Sequence, residues 1–115
     1  EIGPLMSTYY STKSYVLHLT EAIYEELRHS KSNVKVSALC PGPVDTNFNN
    51  VANVKFGVKS LSSKYVANYT VNKMFKNKLI IIPGLGNRLA HIGSNFLPLK
   101  FKLKMVFKIQ KRKEK

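Results

Sequence analysis

The run Leu79-Ile80-Ile81-Ile82, halted by Pro83-Gly84, is the feature that most limits what this chain can become. Four apolar residues in a row, three of them β-branched, favour a strand. Nothing polar alternates with them, so the strand suits a sheet covered on both faces, as parallel sheets are. A second strand candidate, Val34-Lys35-Val36-Ser37-Ala38-Leu39-Cys40, stops as abruptly at Pro41-Gly42-Pro43. Between the two, Ser62-Ser63 can cap a helix running to about Phe75, with Tyr65, Val66, Tyr69, Val71 and Met74 as its apolar positions. Strand, helix and strand at this spacing make a βαβ unit with parallel strands and a right-handed crossover.

Upstream, Tyr9 to His29 reads as a helix. Val16, Leu19, Ile23 and Leu27 recur at steps of three and four, which predicts one core-facing stripe, and Ser7 or Thr8 can cap the start. Ser30 to Asn33 is a polar break. Asp45 to Leu61 has no clean period and is expected to be a long, partly ordered loop of the kind that often carries function. Two parallel strands leave both edges of the pair open, so this α/β arrangement asks for more strands than the chain contains. The chain begins Glu1-Ile2-Gly3-Pro4 and its first methionine is Met6, so a processed or truncated start is expected.

Composition closes off other classes. At 43% hydrophobic the chain is too apolar for a disordered tail. The single cysteine, Cys40, excludes an internal disulfide framework and any multi-cysteine zinc site. It suits a reducing, cytoplasmic setting and reads as a small buried hydrophobe. His18, His29 and His91 lack ligand spacing, so no metal is expected. The serines show no nucleophile–base pattern. No stretch approaches the roughly 18 apolar residues of a membrane span.

One pair of residues suggests chemistry. Tyr9 and Lys13 lie four apart, one turn along one helix face. A free phenol gives up its proton too reluctantly for exchange at neutral pH, and a nearby ammonium favours the phenolate. Such a pair can serve as a general acid/base with tyrosine at the reacting oxygen. Tyr10, three residues from Lys13, competes for the role, and spacing alone does not choose.

The segment Gly3 to Lys13 resembles the active-site helix of the short-chain dehydrogenase/reductase family, whose motif is Tyr-x-x-x-Lys with small residues before the lysine. Here these are Ser11 and Thr12. Leu19-Thr20-Glu21-Ala22 with Glu25-Glu26-Leu27 is similar to the rest of that helix. Cys40-Pro41-Gly42-Pro43-Val44-Asp45-Thr46 is similar to the family's Pro-Gly-x-Val-x-Thr turn, and Ile81-Ile82-Pro83-Gly84 with Asn87 to its last strand and exit. The resemblance implies a Rossmann-type parallel sheet of which residues 1–84 form the C-terminal half. It selects Tyr9 over Tyr10 as proton donor or acceptor. Lys13 would tune that phenol and bind the nicotinamide ribose of NADP or NAD. Tyr9 would also touch the cofactor. Pro41, Gly42, Val44 and Thr46 would lie along the nicotinamide, at the carboxyl ends of the strands. The substrate would be a small carbonyl or alcohol compound, chosen by the loop Asn47 to Leu61. Pairing through the Tyr9–His29 helix would make the parent a homo-oligomer.

The departures from that pattern are informative. No glycine-rich phosphate turn and no Asn-Asn-Ala-Gly strand occur. The family's catalytic serine lies further upstream than the eight residues before Tyr9, and Ser7 is too close to replace it. The isolated chain is therefore expected to be inactive and to bind dinucleotide poorly.

The charge is unevenly spread. Of the net +13, residues 83–115 supply +8, from nine Lys/Arg and one Glu. Residues 85–115 read as a basic, partly helical tail in which Phe101, Met105 and Ile109 would stack at i,i+4 steps. Residues 98–115 could rest on an anionic membrane surface, which would suit a lipid-like substrate; a plain solubilising tail is the simpler reading. Nucleic-acid binding is not expected, because no helix-turn-helix, zinc finger or aromatic RNA-binding motif is present. A different class, a non-catalytic remnant that docks on membranes through this tail, is the alternative to an enzyme.

Overall fold

The computed structural model describes residues 6–47 and 60–113. Its elements in order are helix α1 (Ser7–His29), strands β1 (Ala38–Leu39), β2 (Val44–Asp45) and β3 (Leu61–Ser62), helix α2 (Ser63–Phe75), strand β4 (Ile80–Ile81), and helices α3 (Leu85–Asn95) and α4 (Leu99–Lys113). The chain is α/β, and its strand pairs are parallel.

The expected βαβ unit is present. Ala38 stands opposite Ile80 and Leu39 opposite Ile81. The pairing extends through Ala38 N–H to Leu79 O at 2.7 Å and Cys40 N–H to Ile81 O at 2.9 Å. Helix α2 lies in the crossover and packs on β2, β3 and β4. Its start is set by the Ser62 hydroxyl, which accepts from Tyr65 N–H at 3.3 Å. Its end is set by Asn77, whose φ of 56° is a left-handed turn that asparagine tolerates better than most residues.

Several expectations need correction. Ladder pairing covers only Ala38–Leu39 of the strand expected over 34–40, because β4 offers partners only there; Val34 is 63% exposed. The apolar run is not buried on both faces. Ile81 is 2% exposed but Ile80 is 37% exposed, so one side of β4 is covered and the other is open. The ends of the expected loop are ordered: Val44 pairs with Leu61 and Asp45 with Ser62, joined by Leu61 N–H to Pro43 O at 2.9 Å. Residues 48–59 of that loop lie outside the described residues.

The stripe on α1 is also rotated from expectation. Val16, Leu19 and Ile23 are exposed, while Tyr10, Ser14, Leu17, Glu21, Tyr24 and Leu27 form a half-buried line, so of the expected stripe Leu27 lies on it. That line recurs at steps of three and four, so it is a single helix face. Among the described residues, Val66 and Ile81 are the buried apolar side chains, with Pro83 beside them. This small core sits where α2 meets β4.

Candidate functional site

Helix α1 fixes the geometry of its first turns. Helical spacing sets Lys13 one turn above Tyr9, and the Lys13 Nζ lies 5.6 Å from the Tyr9 ring centroid. The Tyr9 ring is 43% exposed. The Tyr9 and Tyr10 rings meet edge to face, with centroids 5.5 Å apart. Thr12 donates its hydroxyl back to Tyr9 O at 2.8 Å, an internal helix contact that leaves the tyrosine side chain uninvolved.

The two tyrosines part company at their hydroxyls. Tyr10 is half-buried, and its phenol oxygen accepts from Gln110 Nε2 at 2.5 Å. Gln110 is 5% exposed, the buried polar side chain of the described residues. Helix α4 therefore holds Tyr10, and Tyr9 stays at the surface beside Lys13.

The second group of predicted residues lies beyond the carboxyl ends of β1 and β4. Pro41-Gly42 leaves β1, and Pro83-Gly84 leaves β4, so the two turns are neighbours. Asn87, in the first turn of α3, sits between them. Its Nδ2 donates to Pro83 O at 3.1 Å. A Cβ added at Gly42 would lie 2.7 Å from both Cγ and Oδ1 of Asn87. Gly42 is thus glycine because the Asn87 amide occupies the space a side chain needs. Gly84 has φ +85°, a conformation that L side chains rarely adopt, and its missing Cβ faces Leu61 Cδ1 at 3.1 Å. Val44 enters β2 and is half-buried, while Thr46 follows the strand and is exposed. No hydrogen bond among the described residues joins the Tyr9–Lys13 pair to this turn.

Electrostatically, the described surface is one of unpaired cations. The ion pair among the described residues is Glu25–Arg28 on α1, with Nη2 to Oε1 at 2.6 Å and Nε to Oε2 at 2.8 Å. The Arg28 hydrogen bond holds the Glu25 carboxyl below its ordinary range, and the same bond raises Arg28. A cavity of about 200 Å³ beside β4 is lined by Lys73, Lys78, Arg88 and His91 together with isoleucines; none of the predicted site residues lines it. No group of three His, Cys, Asp or Glu among the described residues could hold a metal ion. Cys40 is half-buried at the end of β1.

Gln110 and the bridging position of Asn87 are what sequence reasoning missed. Resemblance places Asn87 at the strand exit, but its bridge between the two Pro-Gly turns needs β1 and β4 to be neighbours, which the folded sheet shows. Gln110 carries no such signal: one amide in a lysine-rich helix looks solvated.

Residues 2–57 match a family model described as short chain dehydrogenase. The matched span holds Tyr9, Lys13 and the whole Pro41–Thr46 turn. No curated protein and no solved structure matches the chain.

Proposed function

Because residues 2–57 belong to the short-chain dehydrogenase family, we propose that this chain is the closing part of an oxidoreductase that uses NAD or NADP to interconvert a carbonyl and an alcohol. The family match across both the Tyr9–Lys13 pair and the Pro41–Thr46 turn carries this reading.

When bound, the nicotinamide supplies or accepts the hydride. The donor set suits such a group: an exposed ammonium, an exposed phenol and an exposed threonine hydroxyl. Tyr9 gives its hydroxyl proton to the substrate oxygen during reduction and takes it back during oxidation. Lys13, one turn along the same helix face, donates to the ribose hydroxyls. The Pro41-Gly42 and Val44 backbone, with the Thr46 hydroxyl, orients the carboxamide. The net charge of +13 favours an anionic dinucleotide overall, although exposed Asp45 lies within the turn itself.

Two facts support the view that the rest of a larger fold completes this one. Among the described residues the buried apolar core is confined to Val66, Ile81 and Pro83. The outer edge of β1 has no partner strand among the described residues. NADPH and NADH titrated into the 115-residue chain should show only weak binding. A longer chain that adds a glycine-rich turn and an upstream serine to these residues should bind one of them saturably. Tight saturable binding by the 115 residues alone would overturn this division of roles.

A further inference from the structure

Helix α4 docks in an orientation its sequence does not suggest. Lys102 and Val106 are half-buried and Gln110 is buried, at steps of four, so this line faces the protein. The apolar stripe lies one residue, about 100°, from that line and stays exposed: Phe101 is 55%, Met105 39% and Ile109 47% exposed. Lys100, Lys104, Lys108 and Lys111 are exposed in a row along its outer flank, on the side away from the buried line. From Thr46 to Lys113 the sequence has no acidic residue, so nothing along this stretch neutralises them. Just before it, α3 leaves Leu85, Leu89 and Ile92 exposed, and Phe96 follows at 84%.

Exposed aromatic and aliphatic groups bordered along one side by a row of unpaired lysines match the chemistry of a bilayer interface, with apolar acyl chains below and negative headgroups at the lysine level. No described helix is long and apolar enough to cross a membrane, so the fit is peripheral. We infer that the outward face of α4 is a docking surface for anionic lipid bilayers, with Phe101 and Met105 entering the interface and Lys100, Lys104, Lys108 and Lys111 meeting the headgroups. On the protein-facing side of the helix, Gln110 donates to the Tyr10 hydroxyl. The inference stands apart from the oxidoreductase reading, since it involves no residue of the Tyr9–Lys13 pair or the Pro41–Thr46 turn.

The test is co-sedimentation of the full chain with vesicles of phosphatidylcholine alone and of an equimolar phosphatidylcholine–phosphatidylserine mixture. Binding is expected to the mixed vesicles only, falling as salt is raised. Replacing Lys104→Gln and Lys108→Gln together should weaken partitioning roughly thirty-fold, at about five-fold per lysine. Phe101→Ser should weaken it further, with helix content by circular dichroism unchanged. The wild-type salt titration keeps the test decisive if a variant misfolds. Absence of binding to mixed vesicles, equal binding to both lipids, or retention on duplex DNA in preference to the mixed vesicles would each overturn the inference.

Discussion

Gln110 and Tyr10 lie one hundred residues apart in the chain, and the glutamine Nε2 donates to the tyrosine oxygen at 2.5 Å. This bond ties the last helix to the first and separates two adjacent tyrosines that spacing leaves equivalent. Tyr10 is committed to α4, while Tyr9 keeps an exposed ring beside Lys13.

Gln110→Ala removes the donor and leaves a cavity at a buried position, so the docking of α4 should weaken by about 1–3 kcal/mol. Hydrogen exchange should show lost protection along Leu99–Lys113 before α2 changes. Unchanged protection would mean that α4 is held by something else.

Gly42→Ala should destabilise the turn, because its Cβ meets the Asn87 amide. Asn87→Ala also costs stability, through the lost bond to Pro83 O. In the double variant the clash disappears, so a double-mutant cycle should give a coupling of about 0.5–3 kcal/mol by chemical denaturation. Additive effects would separate the two residues.

Ile81→Ala should cost about 2–5 kcal/mol, as expected for a large side chain removed from a packed core. Ile80→Ala, at the partly open neighbouring position, should cost clearly less. Equal losses in thermal or denaturant unfolding would contradict the one-sided burial of β4.

Glu25 is held below the ordinary carboxylate range by the Arg28 hydrogen bond. A depressed folded pKa contributes stability above the unfolded pKa, and that contribution is lost as pH falls through the folded value. The pair is exposed, so the effect should be small. An NMR titration should place the Glu25 midpoint below the ordinary carboxylate range, and Arg28→Ala should raise it; an unchanged midpoint in the variant would contradict this.

Much of the fold is legible in sequence because it rests on local rules. Pro-Gly pairs stop β1 and β4, Ser62 caps α2, and helical period locates α1. Which face of a helix is buried is less legible, since that depends on neighbours far along the chain. Val16, Leu19 and Ile23 form a good stripe on α1, and Phe101, Met105 and Ile109 form one on α4, yet both are exposed. In α4 one distant hydrogen bond to Tyr10 accompanies the opposite choice. Helix α3 escaped prediction because it starts directly from Gly84, without a side-chain cap to announce it. At the candidate site, the Tyr9–Lys13 pairing follows from helix spacing alone. The placement of Asn87 against Gly42 depends on β1 and β4 being neighbours, which only the folded sheet shows.

The central claim is that Tyr9, and not Tyr10, carries the proton in a nicotinamide-dependent reaction. Nicotinamide oxidation or reduction by the longer chain that adds a glycine-rich turn and an upstream serine, followed by absorbance, tests it most directly with the Tyr9→Phe and Tyr10→Phe variants side by side. Tyr9→Phe should lower kcat by roughly 10²–10⁴-fold while leaving dinucleotide binding nearly unchanged. Tyr10→Phe should keep most of the turnover. Full turnover in Tyr9→Phe would contradict the account.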